Sequence, residues 1–297
     1  PETQKATGVR IIDRVTMEET EYFAKVIFCC ASAIASTAIL LNSKSDRFPN
    51  GMGNDSGELG HNIMDHHLGA GASGVYEGFG DKYYKGRRPN GIYVPRFRNL
   101  PWDKSSKQKE YLRGFGYQGG ASRSGWTRYV KELNKFGMDL KALIEPGPWQ
   151  MGMGGFGECL PYHENKMFLD YEKLDKWGQP TVTFDAEFKE NEKKMREDMV
   201  QSAAEMLEAA GFKDIRTFNG NGAPGLGIHE MGTARMGRDP KTSVLNQWNQ
   251  VHAVKNVFVT DGAFMTSAGC QNPSLTYMAF TARACDHAVN EISNNNL

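Results

Sequence analysis

Between residues 92 and 188 the chain alternates aromatic or aliphatic with polar residues in short runs: Gly91–Phe97, Glu110–Gln118, Lys141–Ile144, Lys166–Tyr171 and Thr181–Phe184. A two-residue period sends alternate side chains to opposite faces, so the pattern predicts an antiparallel sheet with one covered face. The clearest helical segment follows it. Over Glu190–Ala210, Met195, Met199, Ala203, Met206 and Ala210 recur every three or four residues, with charges opposite and Gly211 placed to stop the helix. Before the sheet, residues 9–15 (VRIIDRV) and 21–28 (EYFAKVIF) read as strands joined by the polar Thr16–Thr20 loop. Cys30-Ala31-Ser32-Ala33 then leads into a helix over Ile34–Asn42. Such a junction suits either a phosphate held at a helix N-terminus or a plain core crossover. Near the end, Val257–Thr260 is a continuous apolar run, expected to be a strand covered on both faces and ended by Asp261-Gly262. A last helix is expected over Pro273–Ile292, with Pro at its first position and Asn272 as N-cap.

Composition narrows the functions. At roughly 150 residues per domain, 297 residues suit about two domains. The 35 Lys+Arg balance 35 Asp+Glu, which leaves no basic excess for a nucleic-acid partner. Five scattered cysteines without CxxC spacing exclude a disulfide framework and a zinc ribbon. The longest uncharged stretch, Val26–Ser43, is broken by Ser32, Ser36 and Thr37. Its apolar part would span about 24 Å as a helix, short of a ~30 Å hydrocarbon core, so no membrane span is expected. The cytoplasm and the periplasm both remain open as compartments, and the opening Pro1 leads us to expect further chain upstream.

Several motifs have competing readings. Gly152, Gly154 and Gly157, and again Gly220, Gly222 and Gly225, match GxGxxG formally, but neither set lies between a strand and a helix with an acid about 20 residues on. His61, Asp65, His66 and His67 offer metal-ligand chemistry. Adjacent residues of an extended segment point opposite ways, however, so a structural or lid role is expected and no metal. His229-Glu230 lacks the second His of a zincin helix, having Thr233 in its place.

Gly227-Ile228-His229-Glu230-Met231-Gly232-Thr233-Ala234-Arg235-Met236-Gly237 carries the most information. Together with the strand ending at Asp261-Gly262 and the helix after Asn272-Pro273, it resembles the C-terminal signature of the glucose-methanol-choline (GMC) flavoprotein oxidoreductases. That signature is His-x-x-Gly-Thr-x-x-Met-Gly, an apolar strand ending in Asp-Gly or Asp-Ala, then Asn-Pro opening a helix. Ala24–Ser43 is similar to the family's strand-turn-helix under flavin adenine dinucleotide (FAD), and Gly60-His61-Asn62-Ile63-Met64-Asp65-His66 to its Gly-Arg-Asn-Leu-x-Asp-His segment. Pro161–Asp170 and Lys176–Pro180 resemble the entry to its substrate sheet. Ser32 stands where the family usually has Gly, and His61 replaces Arg.

The resemblance implies an α+β fold: an antiparallel-sheet substrate domain with flanking helices plus a partial FAD-binding α/β domain. It divides the chain into 1–67 (strand-turn-helix and flavin-side loop), 68–225 (substrate domain) and 226–297 (active-site loop, closing strand and last helix). The implied catalytic pair is His229 and Asn272, 43 residues apart. His229 would act as general base and Asn272 would hold the substrate oxygen. Ala31, Ser32, Asp261, Gly262, Ala263, Asn272, Pro273 and Ser274 would bind FAD, with the Gly262 and Ala263 amides facing its phosphates. The implied partners are an alcohol or sugar substrate, the N-terminal FAD-binding half that these residues lack, and an electron-acceptor protein. The family's Gly-rich βαβ unit is not among the 297 residues, so little FAD binding and no activity are expected of this C-terminal piece alone. Trp102, Trp126, Trp149, Tyr162 and Tyr171 are candidate stacking faces for a sugar, or else core. Overall similarity leans towards sugar or polyol dehydrogenases. The rival readings are a non-enzymatic carbohydrate-binding or interaction module, and a metal-dependent hydrolase built on His66, His67 and His229.

Overall fold

In chain order the computed structural model has strands β1 (Gly8–Ile12), β2 (Glu19–Phe23) and β3 (Ile27–Cys29), then helix α1 (Ala33–Asn42). Next come β4 (Ala70–Tyr76), β5 (Gly91–Val94), β6 (Phe115–Arg123), α2 (Met138–Ile144) and β7 (Trp149–Gly157). After them follow β8 (Lys166–Leu174), β9 (Pro180–Asp185), α3 (Glu190–Ala209), β10 (Lys213–Asn219), β11 (Gln250–Val251), β12 (Val254–Val259) and α4 (Ser274–Ser293). The structure describes residues 3–81, 91–123, 136–144, 147–220 and 222–297. They divide into two units: Pro1–His66, Cys159–Phe188 and Pro224–Leu297 form the first, and His67–Glu158 with Lys189–Ala223 the second. The segment 159–188 thus folds with the first unit, although its alternation groups it in sequence with the sheet region.

The second unit carries a five-stranded, wholly antiparallel sheet in the order β10-β4-β7-β6-β5. Helix α3 covers one face. Met195, Met199, Ala203 and Leu207 pack there against Ala70, Ala72, Phe115, Tyr117 and Met153, all buried. A large apolar side chain is worth about 1.5–3 kcal/mol when fully buried, so this face contributes much of the unit's stability. The close approach of α3 depends on glycine in β7. A Cβ at Gly157 would lie 2.0 Å from His67 Nε2 and 2.4 Å from Met199 Cε, and one at Gly155 would lie 2.7 Å from Met199 Sδ. The first formal GxGxxG is therefore strand, and its last glycine makes room for packing.

In the first unit β12 runs parallel to β3 and antiparallel to β11. Val257 and Val259 face a cluster with Ala33 and Leu40 of α1, while Phe258 faces Ala284 and Ala288 of α4 and stacks on Phe28 at 4.9 Å. Both faces of β12 are covered, as its uninterrupted apolar run requires. The pairs β1-β2 and β8-β9 are separate hairpins.

Several boundaries differ from the sequence reading. The run 21–28 splits into β2 and β3, because its first half pairs antiparallel with β1 and its second half parallel with β12. Lys141–Ile144 is helical, in α2; four residues are too few for period alone to separate strand from helix. The Glu110–Gln118 run becomes strand only from Phe115, and Gly91–Phe97 ends as strand at Val94. Helix α4 starts at Ser274 with Pro273 in the cap position and no side-chain cap, so Asn272 is not its N-cap. Among the described residues no helix is long and apolar enough to cross a membrane.

Candidate active site

Three distant segments of the first unit are laced together by backbone hydrogen bonds. Met64 and Met231 exchange both bonds at 2.9 Å, and Gly60 N–H donates to Thr233 O at 2.7 Å. On the other side Gly232, Ala234 and Met236 donate to the carbonyls of Gly262, Ala263 and Phe264 at 3.2, 2.9 and 3.0 Å. The 231–236 strip thus lies between the 60–64 strip and the turn after β12. Only glycine suits position 232: its φ is +95°, and a Cβ would lie 2.2 Å from Asn62 O. Thr233 is fully buried, takes a hydrogen bond from Thr37 Oγ1 at 2.7 Å and donates to Ala33 O, which ties the strip to the start of α1.

Asp65 organises the turn before His229. Its carboxylate, 3% exposed, accepts backbone N–H groups from Gly225 and Gly227 at 3.1 and 2.7 Å, from His229 at 3.1 Å and from His66 at 2.7 Å. Between them Ile228 has φ +54°, a left-handed conformation that is rare and strained for a β-branched residue. Such strain, of order 1–3 kcal/mol, persists where surrounding bonds fix the backbone, and here the Asp65 carboxylate does so. The side chain of His229 is half-buried, and its Nδ1 lies 2.8 Å from Nδ1 of His66, the two rings meeting nearly perpendicular. His66 is buried and its Nε2 hydrogen-bonds the carbonyl of Gly269. Burial pushes its pKa below the ordinary histidine value; the neighbouring His229 acts the same way, and the Gly269 carbonyl and Asp65 act against it.

Of the expected catalytic pair, His229 is placed by these contacts. Asn272 is exposed and follows Gly269 by three residues, which keeps its Cα within about 11 Å of the Gly269 Cα. His66, read from sequence as having a structural or lid role, links the His229 strip to Gly269. The pairing Asp65-His66 was visible as a motif, but the use of its two side chains on one partner segment was not.

Of the expected cofactor residues, Ala31 and Ser32 lie at the start of α1, Asp261, Gly262 and Ala263 in the turn after β12, and Asn272, Pro273 and Ser274 at the start of α4. Ala31 N–H donates to Ser36 Oγ at 3.0 Å, and Ser36 Oγ donates to Asp261 Oδ2. Asp261 Oδ1 takes the Ala263 amide at 3.0 Å, and Gly262 and Ala263 are buried. Burial raises the Asp261 carboxyl above the usual range, against the Ser36 hydrogen bond; burial together with Asp261 and Glu230 pushes the Tyr277 phenol up to about 12. Ser32 caps α1 in a left-handed conformation, φ +81°, with no side-chain cap bond, and both Ala31 and Ser32 are exposed. Helix α4 likewise begins at exposed Ser274 with no side-chain cap and no acid in its first turn. Uncapped helix ends present N–H donors and partial positive charge, the chemistry that a flavin carbonyl edge and a pyrophosphate accept. These residues fit that part of FAD.

The candidate stacking residues divide between the units. Trp102 and Trp149 belong to the second, where Trp149 Nε1 donates to Phe79 O; Tyr162 and Tyr171 belong to the first, where Lys44 Nζ sits 3.9 Å over the Tyr171 ring. Trp126 lies outside the described residues. Among the described residues no group of three or more His, Cys, Asp or Glu is placed to hold a metal ion; His67 exchanges backbone bonds with Gly157 in the second unit.

One unit holds an antiparallel sheet covered on one face by a long helix; the other holds a mixed three-stranded sheet, with the His-x-x-Gly-Thr strip bonded to the turn after β12. Each is built of the helices and strands of an α+β chain, the kind the motifs imply. Residues 161–281 match the family model described as GMC oxidoreductase, and the chain belongs to that family as its C-terminal part. It is 32% identical over 297 residues to the 2-methyl-1,2-propanediol dehydrogenase of Mycolicibacterium austroafricanum, covering 95% of this chain and 51% of that protein. To the fructose dehydrogenase large subunit of Gluconobacter japonicus it is 27% identical over 274 residues, covering 91% and 48%. Its fold is similar to that of pyridoxine 4-oxidase from Mesorbium loti, with TM-score 0.58 and 18% identity over 97% of this chain and 55% of that one. It is also similar to the Aspergillus oryzae formate oxidase, in a structure concerned with FAD modification, with TM-score 0.59 and 15% identity over 98% and 58%. The chain spans about half the length of the curated relatives it matches.

Proposed function

We propose that this chain is the C-terminal part of an FAD-dependent oxidoreductase that oxidises the CH–OH group of an alcohol or sugar, with His229 as general base. The observation that carries the reading is the anchoring of His229: its backbone is held by Asp65 and its ring by His66. A base must be held within reach of the proton it takes, and here both the backbone and one ring nitrogen are fixed. His229 takes the substrate hydroxyl proton, and Asn272 orients the substrate oxygen by hydrogen bonding. When bound, the flavin supplies the acceptor for the hydride that leaves the same carbon. Asn272, Pro273 and Ser274 at the start of α4 would face the flavin N1–C2=O edge, where a helix N-terminus stabilises negative charge by about 0.3–2 kcal/mol. Ala31 and Ser32, with Asp261, Gly262 and Ala263, would hold the ribityl and pyrophosphate chain. The names of the propanediol and fructose dehydrogenases support an alcohol or sugar as substrate class.

A second half is needed for the adenosine diphosphate part of FAD, in the same polypeptide or another. In support, among the described residues β3 is an edge strand, and its outer row of backbone N–H and C=O groups can pair with a further strand. Val9, Ile11, Tyr22 and Phe23 on the first hairpin and Leu275, Met278 and Val289 on α4 are also exposed.

The test is flavin absorbance and substrate-dependent dye reduction, measured on the 297-residue chain alone with added FAD and on the protein completed by its FAD-binding half. The chain alone is expected to be colourless and inactive, and the completed protein yellow and active on an alcohol or sugar. A yellow, active 297-residue protein overturns the need for the second half. A completed protein that binds no FAD, or binds it and oxidises neither class, overturns the reaction; sugar binding without flavin would favour the carbohydrate-binding module.

A further inference from the structure

We infer that His66 is a positioning residue that sets the tautomer of His229, so that the proton of the neutral His229 ring sits on Nδ1 and the lone pair on Nε2. The inference rests on the reading of His229 as the base and deepens it.

The argument starts at the far end of the contact chain. The Gly269 carbonyl oxygen has no proton to give, so in its hydrogen bond with His66 the Nε2 nitrogen must be the donor. His66 is 1% exposed, and burial disfavours its charged form. A neutral imidazole carries one proton. With that proton on Nε2, Nδ1 of His66 is an acceptor. Nδ1 of His229, 2.8 Å away, must then be the donor. The opposite tautomer of His229 would set two lone pairs against each other at that distance.

The arrangement also suits the reaction. When His229 Nε2 takes a proton, Nδ1 keeps its own, so the bond to His66 survives the transfer and becomes charge-assisted. His66 accepts before and after, and neither its proton nor the Gly269 bond has to move. The logic is that of an orienting group behind a catalytic histidine, with a neutral imidazole and a backbone carbonyl in place of the usual carboxylate. Asp65 adds the second constraint, because it binds the backbone amides of both histidines through the same oxygen, Oδ1. The two rings are therefore tethered at their roots as well as joined at their edges.

The test is 15N NMR of the full chain labelled at histidine, with no flavin required. For His229 a protonated Nδ1 and an unprotonated Nε2 are expected; for His66 the reverse, with a coupling across the hydrogen bond between the two Nδ1 nuclei. In His66→Phe the coupling is expected to disappear and His229 to lose its Nδ1–H preference. In His66→Asn, whose Oδ1 offers an acceptor near the place of Nδ1, that preference is expected to persist. An unsubstituted chain whose His229 carries its proton on Nε2 overturns the inference, and so does a folded His66→Phe chain with the His229 tautomer unchanged. Because the signal comes from the ring nitrogens, an absence of alcohol oxidation in the completed protein would count against the proposed reaction and leave the tautomer result standing.

Discussion

Asp65 holds His229 by its backbone: Oδ1 accepts the His229 N–H at 3.1 Å across 164 residues of sequence, while Oδ2 accepts the amides of Gly225 and Gly227. One buried carboxylate therefore fixes the approach to His229 and its strained neighbour Ile228. Replacement by Ala leaves these amides without their acceptor, and an unsatisfied buried donor costs about 1–3 kcal/mol. Asp65→Ala is expected to lower stability by at least that range in chemical denaturation and to speed hydrogen exchange at 225–229 before the rest of the unit. Unchanged exchange there would rule out the anchoring role.

Glycine in β7 separates packing from backbone needs. Gly157→Ala places a methyl group 2.0 Å from His67 and 2.4 Å from Met199, an overpacking that costs about 1–3 kcal/mol. At Gly152, on the same strand, a Cβ meets nothing within 4 Å. Thermal unfolding should show a lowered Tm for Gly157→Ala and little change for Gly152→Ala.

The depressed pKa of His66 gives stability a pH dependence. The folded state resists protonating His66 while the unfolded chain takes a proton near pH 6.5, so the unfolded state binds more protons below that value. Stability is then fully present above about pH 6.5 and falls as pH drops through the folded pKa. His252, also lowered by burial, acts in the same direction, so the difference between the wild-type chain and His66→Asn isolates the first histidine. Denaturation between pH 8 and about pH 5 should show a shallower acid-side loss in His66→Asn.

In the protein completed by its FAD-binding half, His229→Gln should retain flavin but lower kcat by about 10²–10⁴, the usual worth of a general base. Flavin absorbance per protein, set beside turnover, separates loss of the base from loss of the cofactor. Full turnover in His229→Gln would remove the base assignment.

Much of this molecule was legible along the chain. The 3.6 period of Met195, Met199 and Ala203, the apolar run at Val257 and the strand alternation around β8 and β9 each name an element, because side-chain period is a local property of backbone geometry. The motif strip around His229 was equally plain. Short runs were less so: the residues of α2 read as strand, because four positions suit either period. Position 272 reads as a cap by residue type, yet the helix begins after Pro273.

The order of residues determined which stretches are strand, which are helix and which carry the family's signature, since propensity, period and motif are all short-range. Only the tertiary structure decided that Asp65 would spend its carboxylate on the amides before His229, that Gly157 would make room for a helix rather than a phosphate, and that His66 would stand between His229 and Gly269. Those are contacts between residues up to about 200 positions apart in the chain. They depend on direction and distance in three dimensions, to which hydrogen bonds and close packing are sensitive within a few tenths of an ångström.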